Sequence, residues 1–160
     1  MASSSVRVAV ALGSNLGDRH GHIHWAIARL RERLSDVRVS TIIETPPFEV
    51  PDPDAQGPYL NGALVGTTDA SPDELLAFLQ ALEAERGRAR LHRNAARTLD
   101  LDLILCGDAV LNGPALMVPH PRFRERTFVL APLAEVAGDW RDPVTGLTVT
   151  ALLQRLTDRA

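Results

Sequence analysis

Lysine is absent from this 160-residue chain, and all seventeen basic residues are arginine. Cysteine is nearly absent as well: Cys106 stands alone, so no intrachain disulfide can form and a reducing compartment is the simpler expectation. Aromatic residues make up only 4% of the chain, and Tyr59 is the one tyrosine, a thin supply for a surface that stacks nucleobases. Positive charge is not in excess either. Seventeen arginines against twenty acids leave a net charge of −3 and a pI near 5.9, which argues against a general nucleic-acid binder. No apolar run approaches the roughly 20 residues of a membrane span. The short run inside "MASSSVRVAVALGSN" is too brief for a signal peptide and leads into Gly-Ser-Asn rather than a cleavage motif. The expectation is therefore a cytoplasmic monomer without nucleic-acid or membrane partners. No "GxxxxGK[ST]" stretch occurs, which removes the P-loop enzymes.

What is present is ordinary for a globular protein: 45% hydrophobic and 23% charged residues, enough for one domain over residues 1–160 that buries roughly 70% of its extended surface. Residues 6–12 are rich in Val and Ala and predict a buried strand. "GSNLGD" turns the chain, with Asn15 or Asp18 as a cap for a helix over 20–34, where Ile23, Ala26, Ile27, Leu30 and Leu34 recur at helical spacing. Alternation over 37–44 predicts a second strand. "ETPPFEVPDPDAQGPYLN" holds five of the eleven prolines and reads as a stiff loop ending in a third strand, "YLNGALVGTT". "SPDE" is a capping box: Ser71 caps, Pro72 takes the first position and Glu74 reaches back, opening a helix whose Leu75, Leu76, Leu79 and Leu82 face the core and whose stop is Gly87.

Beyond an arginine-rich loop, "RTLDLDLIL" alternates, with Leu99, Leu101, Leu103 and Leu105 on one side and Asp100, Asp102 and Ile104 on the other. "GDAVLNG" predicts a turn and a short strand, "VPHPRFRER" a basic loop, "TFVLAPLAEVA" a passage from strand into short helix, and 148–156 a last helix. The order β-α-β-β-α-β predicts an α+β fold with a ferredoxin-like core, a mostly antiparallel sheet and helices packed on it.

Chemistry concentrates around the acidic strand. Carboxylates at i and i+2 lie ~7 Å apart at the backbone, close enough to share a cation or an adjacent pair. Oxygen-only ligands suit magnesium, which keeps waters and shares its shell with phosphates. Taken alone, the stretch is more simply a half-exposed strand with an acidic outer face. Its surroundings change that balance. Upstream, "RGRARLHRNAAR" brings Arg86, Arg88, Arg90, Arg93 and Arg97 around His92; downstream, "HPRFRER" adds His120, Arg122, Arg124 and Arg126. Acids to hold metal and arginines to hold the phosphates it bridges are the general design of phosphoryl transfer. Tyr59 and Asn61 share a strand face, a ring beside an amide, and Phe128 is placed to offer an opposite wall to a planar heterocycle. Either aromatic serves equally as core.

In this order the segments "ALGSNLGDR", "ETPPF…GPYLNGAL", "LEAERGRAR", "RTLDLDLIL" and "VPHPRFRERTFVLAPLAEVA" resemble the 6-hydroxymethyl-7,8-dihydropterin pyrophosphokinases of folate synthesis. The resemblance implies that ATP donates its β,γ-pyrophosphoryl group to the pterin's hydroxymethyl oxygen, releasing AMP. It implies that Asp100 and Asp102 hold two magnesium ions, that Arg88 and Arg97 assist the transfer, and that long mobile loops order over ATP. Gln80, Glu83, Arg90, Arg93, Arg97, His120 and Arg126 are the implied ATP contacts. Thr45, Pro46, Phe48, Tyr59, Asn61 and Phe128 are the implied pterin contacts. The chain departs from many members at Asn94-Ala95-Ala96, where they read Trp-Gly-Pro. A small RNA-binding module and a silent relative that binds without turnover are the readings from other classes.

Overall fold

The computed structural model describes residues 5–15, 17–46, 58–86 and 98–159. Strand β1 (Val6–Ser14) starts where the Val/Ala run predicts and continues through Gly13 and Ser14, which belong to the strand rather than to the turn. Asp18 then caps α1 (Arg19–Arg33) by accepting from the Gly21 amide at 3.1 Å, and Ile23, Ala26 and Leu30 turn inward. The single strand expected over 37–44 is two, β2 (Ser35–Val39) and β3 (Ile43–Thr45), both paired with β4 (Tyr59–Thr68). Ser40 is the cause. Its amide donates to the Ala63 carbonyl at 2.9 Å, but its hydroxyl, not its carbonyl, accepts from the Ala63 amide at 2.8 Å. Thr41 turns away and donates through both N–H and Oγ1 to Glu135 Oε1, at 2.8 and 2.9 Å. A side chain thus replaces one rung of the ladder and bends the chain out of it.

Helix α2 (Pro72–Glu85) has the expected capping box, with both Ser71–Glu74 hydrogen bonds in place. Leu75, Leu79 and Leu82 are buried, whereas Leu76 is only half-buried, one position off the stripe. The helix runs to Glu85 with Arg86 as its cap; Gly87 lies outside the described residues.

Four strands lie in the order β2–β4–β1–β5, with β3 beside the other end of β4, and every pairing is antiparallel. The terminal strand β5 (Asp100–Cys106) departs from strict alternation. Its register against β1 shifts between Ala9 and Val10, which face Leu105 and Leu103, so Ile104 is the extra residue of a bulge. Leu99, Leu101 and Leu103 therefore pack on one side of the sheet, Ile104 and Leu105 on the other, and Cys106 returns to the first. Leu105 is thus on the opposite side from the one simple parity assigns it.

A hairpin of β6 (Leu111–Asn112) and β7 (Met117–Val118) follows, then a 3-10 turn over Phe123–Glu125 with Phe123 fully buried. "TFVLAPLAEVA" is helix throughout, α3 (Thr127–Ala137), with Pro132 inside it. An apolar run of this length carries no periodicity that separates strand from helix. What decides is the sheet surface beneath, on which Val129, Leu130, Leu133 and Ala137 form one buried stripe. Thr148 caps α4 (Val149–Asp158) through the Ala151 amide at 3.1 Å. The core is split by the sheet. Helices α1 and α2 cover one face over Val8, Val10, Leu12, Leu60 and Leu64. On the other face α3, α4 and Trp140 cover Ala9, Ala63 and Val65. Among the described residues no helix is long and apolar enough to cross a membrane.

Candidate active site

Register builds the floor of the site. Gly13 of β1 pairs with Asn61 of β4 on one side and Asp100 of β5 on the other; one rung further, Ala11 lies between Ala63 and Asp102. The central strand is thus stripped to Gly and Ala where β5 carries its two aspartates and β4 carries Asn61. A Cβ on Gly13 would lie 3.3 Å from Asn61 Oδ1 and 3.7 Å from Asp100 Cβ, so the missing side chain is what lets amide and carboxylate approach across the strand. Asn61 is buried and its Nδ2 donates to Thr45 Oγ1 on β3, which turns the amide into a fixed donor–acceptor edge. Tyr59, half-buried, lies on the same side of β4 two residues earlier; Pro46 is exposed beyond β3.

The second wall comes from the segment between β7 and α3. The His120 amide donates to the Ile104 carbonyl at 3.0 Å, so the bulge of β5 anchors this segment. Nδ1 of His120 accepts from the Arg122 amide at 3.2 Å, which leaves the ring proton on Nε2. Burial, then the positive charge of Arg126, push the His120 pKa from 6.5 down to about 4, against a smaller opposing pull from Asp100. The ring is neutral near pH 7, a hydrogen-bond donor rather than a cation. Arg126, cap of α3, has its pKa lowered by burial against the stabilising charges of Asp102 and Asp100. Its guanidinium lies 5.7 Å from the Phe128 ring.

Asp100, Asp102, Asn61, Thr45, His120, Arg126 and Phe128 thus lie around one end of one sheet face. The expected ATP contacts Gln80 and Glu83 lie on α2. Gln80 stands on the exposed side of α2. Glu83 is buried at 4% exposure, and its Oε2 accepts from the Leu101 amide at 2.9 Å. Arg124, within the basic loop, serves the fold: its Nε and Nη2 donate to the fully buried Asp142 at 2.5 and 2.8 Å. Phe48, Arg88, Arg90, Arg93 and Arg97 lie outside the described residues. Gly13 and Ser14 help build this end of the sheet, although "GSN" reads in sequence as turn chemistry. Ser14 is fully buried and its hydroxyl donates to the Thr98 carbonyl at 2.5 Å. Two small residues, Gly and Ser, closing a Val/Ala strand are the available signal.

Sheet, acidic pair and the wall of His120 and Arg126 define a class: a small ferredoxin-like α+β protein with a charged site at one end of an antiparallel sheet. The family profile of 7,8-dihydro-6-hydroxymethylpterin-pyrophosphokinase (HPPK) matches residues 9–138. A 2-amino-4-hydroxy-6-hydroxymethyldihydropteridine pyrophosphokinase of Synechocystis sp. is 41% identical over 149 residues, covering 92% of this chain and 74% of the relative. One of the same name from Pseudomonas aeruginosa is 43% identical over 140 residues, 86% of this chain and 84% of the relative. Among solved structures, wild-type Plasmodium falciparum HPPK-DHPS superposes with a TM-score of 0.73 at 12% identity, covering 98% of this chain and 45% of that one, a likeness of fold. The chain belongs to the HPPK family, whose activity is pyrophosphate transfer to hydroxymethyldihydropterin in folate biosynthesis.

Proposed function

We propose that this chain transfers the β,γ-pyrophosphoryl group of ATP to the hydroxymethyl oxygen of 6-hydroxymethyl-7,8-dihydropterin and releases AMP, using Asp100 and Asp102 as its metal-holding pair. The observation that carries this reading is the row Asn61–Gly13–Asp100, with Asp102 two residues further along β5: a planar reading edge and an acidic pair on one sheet face. Two partly exposed carboxylates supply oxygen donors short of a full shell, which fits magnesium, since it keeps waters and takes its remaining ligands from phosphates. Asp100 and Asp102 would hold the ion, and bound magnesium would supply neutralisation of phosphate charge and a lowered pKa for the attacking hydroxyl.

The chain's own residues do the rest. Asn61, fixed by Thr45, reads the pterin edge, and Tyr59 and Phe128 stack on its faces, with Pro46 and Phe48 beside it. Arg126 pairs with phosphate oxygens. Neutral His120 donates Nε2–H to another without adding repulsion toward Arg126. Asp100, nearest the pterin row, accepts the hydroxyl proton as the new O–P bond forms and the bond from the β-phosphorus to the AMP oxygen breaks. On the resemblance alone, Gln80, Arg88, Arg90, Arg93 and Arg97 complete the polyphosphate contacts. Chromatographic measurement of AMP tests this: release is expected only with ATP, reduced hydroxymethylpterin and magnesium together. Asp102→Asn is expected to lower it about 1,000-fold with the fold intact. AMP release that ignores the pterin, or an Asp102→Asn variant with undiminished turnover, overturns the reading.

A further inference from the structure

We propose that Glu83 is a positioning residue: from behind the sheet, its carboxylate holds the amide between Asp100 and Asp102 and so sets the angle at which both aspartates leave the strand. The inference rests on the reading of that pair as metal-holding. Glu83 sits in the last turns of α2, next to Leu82 and one turn beyond Leu79 on the buried stripe, a place where an apolar side chain would pack without cost. Burying a carboxylate there is expensive unless its oxygens are satisfied. One of them is satisfied by Leu101 N–H at 2.9 Å, the residue flanked by the two aspartates.

The place in the sheet explains why a clamp is needed. Among the described residues β5 is the terminal strand, and there an amide directed away from β1 has no strand to pair with. Asp is a poor strand former, and two like charges on one face push β5 to splay. The clamp opposes this at the middle of the acidic run, and its ends are held as well. Thr98 Oγ1 donates to the Arg86 carbonyl at 2.8 Å and Ser14 Oγ to the Thr98 carbonyl at 2.5 Å, while the His120 amide holds the Ile104 carbonyl at 3.0 Å. Residues that orient metal ligands commonly change metal affinity or activity by 10- to 100-fold when removed. Glu83 does this through a backbone amide rather than through the ligands' side chains.

The full-length chain with Glu83→Leu and Glu83→Gln tests the proposal by three readouts. These are the Leu101 amide shift and exchange rate by NMR, Mn2+ affinity in the presence of a non-transferable ATP analogue by electron paramagnetic resonance, and kcat against the pterin KM. The leucine variant suits the apolar stripe and is expected to fold, to lose Leu101 amide protection, and to weaken Mn2+ and kcat about tenfold with an unchanged pterin KM. The glutamine variant keeps an acceptor oxygen without charge and is expected to retain the protected amide and Mn2+ affinity within about threefold. Wild-type Mn2+ affinity in Glu83→Leu overturns the positioning role, as does a loss in Glu83→Gln as large as in Glu83→Leu. Asp102→Asn separates the two levels: its wild-type Mn2+ affinity overturns the metal reading and the positioning role with it. Lost affinity there beside undiminished affinity in Glu83→Leu overturns the positioning role alone.

Discussion

His120 shows how placement outranks residue type. Set between two prolines in a basic loop, it offers three chemistries from sequence alone: phosphate donor, proton shuttle or packing. Burial and Arg126 hold its pKa at about 4, against the ordinary 6.5. Between those values the unfolded chain binds a proton that the folded chain refuses. Stability from this group is therefore complete above about pH 6.5 and falls as pH drops toward 4. After allowance for solvent screening, the loss between pH 7 and pH 5 is on the order of 1–2 kcal/mol. Urea denaturation of wild type and His120→Gln at both pH values measures it: the variant is expected to lose less on acidification, and equal losses would contradict the assignment. Gly13 makes the complementary point, that an absent side chain can be functional. Gly13→Val puts branched carbon where a single Cβ already reaches 3.3 Å from Asn61 Oδ1. Displacing that amide by a fraction of an ångström is expected to lower kcat/KM for the pterin about 100-fold, with circular dichroism unchanged. Wild-type kcat/KM would show that the row is not the pterin edge.

At the scale of elements, the second wall depends on a brace that its own sequence conceals. Arg122, Arg124 and Arg126 look alike in "HPRFRER", yet Arg124 folds back onto Asp142 while Arg126 faces the acidic pair. Burial alone would raise the Asp142 pKa, but hydrogen bonds from Arg124, the Val144 amide and Thr145 Oγ1 outweigh it and leave the group below its usual range. Asp142 lies past residue 138, where the family match ends, so the wall is fastened by a part of the chain that the family pattern does not cover. Breaking one side of such a pair strands a buried charge. Arg124→Met is expected to cost about 3 kcal/mol, and a double-mutant cycle with Asp142→Asn to show coupling above roughly 1 kcal/mol. Strict additivity in that cycle would reduce the contact to surface decoration. Helix caps, the α2 stripe and the acidic strand were readable because each depends on local spacing. The split of residues 37–44 at Ser40, the helix over "TFVLAPLAEVA" and the slip at Ile104 were not, because each is decided by a partner far along the chain: Ala63, the sheet surface and β1.

Across the whole molecule, β1 and β4 belong to both cores at once. Val8, Val10 and Leu12 serve the face under α1 and α2, while Ala9 serves the face under α3 and α4. Removing either helical layer exposes the reverse side of strands the other layer needs, so the two cores are expected to melt together. The chain carries its own reporters for this. Trp25 packs half-buried on the first core, between the guanidiniums of Arg29 and Arg86 at 5.4 and 4.9 Å. Trp140 is buried in the second, with Arg7 stacked 4.6 Å from its ring. In Trp25→Phe the remaining fluorescence reports the second core, and in Trp140→Phe the first. Each variant's fluorescence midpoint in urea is expected to coincide with its own far-ultraviolet circular dichroism midpoint, whatever the variant's absolute stability. Midpoints separated by more than about 0.3 M in either variant would mean that one layer detaches first. The layer that stayed would then identify which core holds the sheet, and a detaching α3 layer would carry His120 and Arg126 away from an otherwise standing acidic strand.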